Sequence, residues 1–217
     1  RSHAVTVGRY LGAPAEDCEY LLGRFCAWLN DMPTPEQDRT LFGILKAIYA
    51  HIYFAWIHPF ADGNGRTARL IEFQILLSSG VPTAAAHLLS NHYNLTRTEY
   101  YRQLERTSTR EYGIDDFINY ALQGFIDGLR EQLNVVRSQQ LVVHWRDYVY
   151  DYFRDKETVT ARRQRRLVLD MTQKYEKGPL PLDKIRHVST RIAEAYAGKG
   201  DKTVQRDLEV LVKAGLL

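Results

Sequence analysis

Cysteine is nearly absent from this chain: Cys18 and Cys26 are the only two among 217 residues. On a helix their spacing separates the Cα atoms by roughly 12 Å, beyond the bridging limit of about 7 Å, so no disulfide between them is expected. Reduced thiols suit a cytoplasmic location. An excess of one charge sign is also lacking. The chain has 29 Lys+Arg against 26 Asp+Glu, a net of +3, which gives no whole-chain signature of nucleic-acid binding. Long hydrophobic runs are missing too. The most apolar stretch, within 36–57, is interrupted by Lys46 and His51 and falls short of an unbroken span of about 18–20 residues. It reads as a buried central helix rather than a membrane span. No secretory signal pattern opens the sequence. The first residue is Arg1, so the chain is expected to be a piece of a longer protein.

What is present is helical periodicity punctuated by Gly and Pro. Cys18, Leu21, Leu22, Phe25 and Leu29 follow the 3.6 period and predict a helix over 15–30. Further helices are expected at 36–57, 67–79, 84–92, 97–109, 114–154 (broken once) and 160–175. Gly178-Pro179-Leu180-Pro181 reads as a linker, and 182–217 as two helices joined by Gly198–Asp201. The exception lies near the start, where Val5, Val7, Tyr10 and Leu11 alternate with Gly8 and Gly12 and predict a short hairpin.

The chemistry concentrates in His58-Pro-Phe-Ala-Asp-Gly-Asn-Gly-Arg-Thr-Ala-Arg69. Two close glycines let the backbone turn tightly, and a helix opening just afterwards aims its unpaired N–H groups at the same place. That combination makes an anion site suited to phosphates. Arg66 and Arg69 are three apart and can supply fork-shaped donors to phosphate oxygens. The NTP-hydrolysing phosphate loop is excluded, since neither its lysine nor a preceding strand is found. Asp62 is placed to hold Mg²⁺ bound to phosphates, because that ion takes one or two carboxylates and keeps its phosphate ligands. His58 could remove a proton from an attacking hydroxyl. His51 reads as a core histidine, and His87, His92 and Asp115-Asp116 lack metal-ligand spacing.

The same twelve residues resemble the signature of the Fic family, HxFx[D/E]GNGRxxR, at every fixed position. The resemblance implies AMPylation, in which a protein hydroxyl attacks the α-phosphate of ATP and pyrophosphate leaves. By position it makes His58 the general base, Asp62 the Mg²⁺ ligand, Gly63, Asn64 and Gly65 the anion hole, and Arg66 and Arg69 the triphosphate ligands. It also implies a buried Phe60 that anchors the loop. The kinase-like branch of the family has lysine where Gly65 stands here, which favours nucleotidyl transfer over phosphorylation. The hairpin, about 4–13, looks like the family's flap, a clamp for an extended target segment. Thr98–Leu104 looks like its following helix, so the resemblance covers about 1–130. The tyrosines of that helix read first as packing residues, with lining of the nucleotide pocket as the alternative.

Many family members restrain themselves with a helix carrying [S/T]xxxE[G/N]. Thr107–Glu111 and Thr190–Glu194 fit its first half only and read as chance matches. In the subgroup this chain resembles, such a helix precedes the flap, so it is expected upstream of Arg1. The segment 202–217 resembles the recognition helix of winged-helix regulators, with Val204, Leu208, Leu211 and Val212 on one face and no β-wing. DNA contact through it stays open, as does a packing or docking role. The basic run Arg162–Arg166 reads as a nucleic-acid contact or as a solvated helix face. Residues 161–217 carry 13 basic and 7 acidic side chains, so any broad nucleic-acid affinity belongs there.

The expected fold is therefore all-α: a Fic core over 1–155 with a small hairpin, then a winged-helix-like domain over 156–217. The expected activity is transfer of AMP from Mg-ATP to a Ser, Thr or Tyr hydroxyl of a target protein, self-modification included. Transfer of UMP or phosphocholine by the same nest, or a DNA-binding regulator with a vestigial core, are the competing readings.

Overall fold

The computed structural model describes residues 6–7, 10–33, 35–174 and 180–217. Among them, two short strands and eleven α-helices carry almost all the regular structure. β1 (Thr6–Val7) pairs antiparallel with β2 (Tyr10–Leu11), Val7 opposite Tyr10. Residues 4, 5, 8 and 9 of the segment read as a hairpin, Val5 and Gly8 included, lie outside the described residues, as do Gly178 and Pro179 of the linker. Helices α1 (Cys18–Asp31), α2 (Arg39–Ile57), α3 (Asn64–Ser78), α4 (Thr83–Ala86), α5 (Leu88–Leu95) and α6 (Arg97–Thr109) follow. Then come α7 (Gly113–Tyr152), α8 (Val159–Lys174), α9 (Leu182–Ile185), α10 (Thr190–Ala195) and α11 (Asp201–Lys213).

The chain divides into two compact units, 1–133 and 134–217. The division falls inside α7 rather than at 155/156, because Val149 and Phe153 pack with Leu167, Val168 and Ile192. In the first unit α2 is the central helix. Its Ala47, Ile48 and Ile52 pack with Leu76, Leu89, Tyr93 and Phe117, while Ala50, Phe54 and Ile57 pack with Phe25 and Ala68. Burial of each large apolar side chain contributes about 1.5–3 kcal/mol, so a helix buried on two faces fixes its neighbours firmly. By length and composition α2 could cross a membrane, yet these contacts account for its apolar surface.

Several expected boundaries moved for local reasons. Helix α3 starts at Asn64 rather than Thr67, because Gly63 (φ 90°) turns the chain and the helix begins at once. At its other end Gly80 (φ 86°) donates to Leu77 O and Val81 to Leu76 O, the paired bonds of a Schellman stop. Helix α7 runs unbroken for 40 residues, so the expected interruption is absent. Its glycine at 124 serves close approach instead: a Cβ there would lie 2.1 Å from the His92 ring. The C-terminal part holds three helices rather than two, and the Ser189 hydroxyl caps the added start at α10 by accepting from Ile192 N.

Two readings of the second unit need correction. Val204 and Leu211 of α11 are buried, but Val212 is 59% exposed. Eight residues carry Val212 about 80° around the helix from Val204, off the buried stripe. The basic run is not one solvated face either. Arg163 is turned inward, its Nε donating to Asp207 Oδ2 at 2.7 Å. Gln164 and the Tyr196 hydroxyl donate to the same carboxylate at 2.9 Å each. The hydrogen bond to Asp207 raises the Arg163 pKa above its ordinary value, so the guanidinium stays charged.

Removing Asp207 strands a buried guanidinium, so Asp207→Ala should cost about 3–5 kcal/mol in urea unfolding. Asp201→Ala breaks the Arg186–Asp201 pair, in which the aspartate is exposed, and should cost less than about 1 kcal/mol. Equal losses in the two variants would contradict the assignment of Asp207 as the unit's polar anchor.

Candidate active site

Helix α2 ends on His58, the one non-glycine residue with positive φ (50°) among those described. Its N–H still closes onto Phe54 O at 3.0 Å, so the helix delivers the imidazole at the point where the chain leaves it. A histidine in the left-handed region is an uncommon backbone state that persists only where its surroundings hold it. His58 Nδ1 lies 3.3 Å from Ala55 O. A carbonyl can only accept, so the proton belongs on Nδ1 and the lone pair on Nε2. That tautomer is the one a general base requires.

The loop from His58 to Gly63 is closed by one side chain. Asn64 Oδ1 accepts the Phe60 N–H at 2.9 Å, and Asn64 Nδ2 donates to Phe60 O at 2.6 Å. Asn64 is 4% exposed and so holds these bonds away from water. Here the sequence reading needs revision, because the Phe60 ring, expected to be buried, is 45% exposed. The backbone of Phe60 closes the loop, while its ring lies 6.1 Å from that of the buried Phe54. The Asn64 side chain is engaged by Phe60, so the part of Asn64 that fits the expected anion hole is its main-chain N–H.

Helix α3 has no side-chain N-cap, since Gly63 occupies that position. Its first intrahelical bond runs from Thr67 N to Gly63 O at 2.9 Å. The N–H groups of 64–66 therefore precede the hydrogen-bond ladder and lie at the positive end of the helix dipole. Asp62 Oδ1 accepts the Gly63 N–H at 2.6 Å, and Oδ2 pairs with Arg66 at 3.0 Å on an exposed surface.

His58, Asn64, Gly65 and Arg69 line one cavity of about 720 Å³. Asp62, Gly63 and Arg66 are not among its lining residues. A Cβ at Gly65 would meet Arg69 Nη1 at 3.4 Å, so the glycine lets the guanidinium lie close to the backbone N–H groups. An aromatic wall faces them: Tyr10, Trp56, Tyr100 and Tyr101 line the same cavity. Nothing in the sequence singles out Tyr10 or Trp56 for it, and the α6 tyrosines take the pocket-lining alternative over packing alone. Tyr10 donates its hydroxyl to Trp56 O at 2.7 Å, tying β2 to the end of α2. Trp56 in turn donates to Thr107 Oγ1 at 2.9 Å, so that hydroxyl is already engaged. No group of three or more His, Cys, Asp or Glu among the described residues could cage a metal ion. The lone exposed carboxylate of Asp62 fits an ion that brings its remaining ligands with it, as Mg²⁺ bound to phosphates does.

A partly buried histidine thus lies beside a helix N-terminus and an arginine in a mostly helical scaffold. The chain is similar to known proteins through this same part. The model of the Fic/DOC family matches residues 1–76, which include the whole motif. Protein adenylyltransferase Fic of Drosophila melanogaster is 39% identical over 82 residues, covering 38% of this chain and 16% of that protein. Protein adenylyltransferase fic-1 of Caenorhabditis elegans is 38% identical over 104 residues, covering 48% of this chain and 18% of that protein. The matched stretch thus spans less than a fifth of these curated relatives. The resemblance read from the motif is borne out by the family model and by these relatives, over the N-terminal part of the chain.

Replacing Asn64 with Ala leaves both polar groups of Phe60 unpaired. Amide hydrogen exchange across 58–64 should accelerate about tenfold, while α1 and the middle of α2 keep their protection. Unchanged exchange in the loop would show that another contact closes it.

Proposed function

We propose that the first unit is a protein adenylyltransferase. It would transfer AMP from Mg-ATP to a Ser, Thr or Tyr hydroxyl of a target protein and release pyrophosphate. The observation that carries this reading is the shared cavity of His58, Gly65 and Arg69, in which a base tautomer, helix N–H groups and a guanidinium converge. The names of the Drosophila and Caenorhabditis relatives point the same way.

In this reading the target hydroxyl attacks the α-phosphorus while His58 Nε2 takes its proton. The bond between that phosphorus and the oxygen bridging to the β-phosphate breaks, and pyrophosphate leaves with the bridging electron pair. The N–H groups of 64–66 and Arg69 hold the phosphate oxygens where negative charge develops, which is the most effective place for fixed dipoles. Mg²⁺ would neutralise charge on the phosphates, with Asp62 as its protein ligand. Arg66 now pairs with Asp62 and would exchange that exposed contact for phosphate at little cost. The β1–β2 pair would serve as the flap, offering an edge along which an extended target segment can add as a strand. Reduced thiols keep the cytoplasm as the proposed location.

His58→Ala should lower transfer at least about 100-fold while ATP binding persists. Arg69→Ala should instead weaken ATP binding. Transfer retained in His58→Ala would overturn the role of the base. The mass added to modified protein separates AMP from UMP or phosphocholine.

A further inference from the structure

Beneath the cavity lies a buried polar cluster that the proposed reaction does not use. Glu72 is 1% exposed, three residues after Arg69 on α3, and His51 on α2 is fully buried. The Tyr93 hydroxyl donates to Glu72 Oε1 at 2.9 Å. His51 Nε2 lies 2.9 Å from the Tyr100 hydroxyl, and Tyr100 forms part of the cavity wall. His51 Nδ1 and Glu72 Oε2 face each other at 3.5 Å, and neither has a hydrogen-bond partner among the described residues.

A carboxylate beside an imidazole nitrogen decides where the imidazole proton sits. With the proton on Nε2, the Nδ1 lone pair would oppose the carboxylate oxygen across 3.5 Å in a low-dielectric interior. With it on Nδ1, the contact is attractive and Nε2 is left to accept. The Tyr100 O–H then has one direction in which to donate, inward to His51. Three aromatic rings close around the imidazole and Tyr100: Tyr93 at 5.0 Å and Phe117 at 6.1 Å from His51, and Tyr101 at 5.2 Å from Tyr100. No water-filled space is needed to complete the arrangement. Burial, with the charge of Glu72 adding and that of Arg69 opposing, holds the Tyr100 hydroxyl well above its ordinary pKa. The phenol is therefore a fixed neutral donor, within the field of both Arg69 and Glu72.

We infer that Glu72 and His51 are positioning residues for the nucleotide cavity: Glu72 sets the His51 tautomer, and His51 holds the ring of Tyr100 as a fixed wall beside Arg69. This inference rests on the nucleotide reading above. It assigns to the buried acid a task that core packing alone does not give it, since an apolar side chain of similar size would fill the same space.

The test measures Tyr100→Phe, Glu72→Gln and the double variant in the full chain. The readouts are the ATP dissociation constant, the split between KM and kcat, and the tautomer of His51 from imidazole ¹⁵N shifts. Tyr100→Phe should raise the ATP dissociation constant and KM roughly three- to tenfold, with the effect concentrated in KM, as expected for one lost hydrogen bond. Glu72→Gln should move the His51 proton from Nδ1 to Nε2 and raise KM similarly. The double variant should be no worse than Tyr100→Phe, because both act through one hydroxyl. Additive losses, or unchanged ATP affinity in folded Tyr100→Phe, would overturn the inference. A wild-type chain that binds no ATP would overturn the nucleotide reading and this inference with it. Wild-type binding left intact by Tyr100→Phe would overturn this inference alone.

Discussion

Both main-chain polar groups of Phe60 are held by the one buried amide of Asn64. This two-bond closure fixes the loop between the end of α2 and the start of α3, and the site's geometry depends on it. It lets His58 leave α2 in a left-handed conformation without the loop relaxing the strain. It also lets α3 begin immediately after Gly63, so that the first N–H groups have no side-chain cap. A buried amide satisfied on both its donor and acceptor sides is a strong constraint, because losing either bond leaves a desolvated group unpaired.

Helix α2 transmits the constraint to the rest of the first unit. One face carries Ile48 and Ile52 into the core, and the other carries Phe54 and Ile57 against α1. The helix could not shift its C-terminal end, and with it His58, without breaking two apolar interfaces. The small residue Gly43 brings it hard against Ser79 past the end of α3, where a Cβ would have no room. The base and the anion-binding helix are thus fixed relative to each other by packing at both ends of the α2–α3 pair. The second unit has its own polar anchor at Asp207 and its own apolar cluster.

Much of this was legible in the sequence because local rules acted alone. Helix α6 begins and ends where its periodicity predicts, and the Gly80 stop follows from the αL position a helix terminus demands. The motif residues His58, Gly65 and Arg69 meet at one cavity, as twelve contiguous residues across a turn should. What was not legible depends on partners distant in the chain. The break expected within 114–154 is absent, and Gly124 and Gly128 instead let His92 and Leu88 lie against α7. The family resemblance implies a buried Phe60, whereas its ring is largely exposed and its backbone is held by Asn64. Tyr100 looks like a packing residue because nothing local reveals that His51 and Glu72, far apart in sequence, converge on its hydroxyl. Arg163 looks like one cation in a solvated run until Asp207 is seen 2.7 Å away.

The central claim is that the uncapped start of α3 is an anion site for the phosphates of a nucleotide. The most direct measurement follows the backbone amide resonances of Asn64, Gly65 and Arg66 in ¹⁵N-labelled protein during titration with Mg-ATP. The account predicts saturable shifts that are largest at these three amides and absent with Mg²⁺ alone. Shifts confined to other residues, with these amides unmoved at saturation, would contradict it.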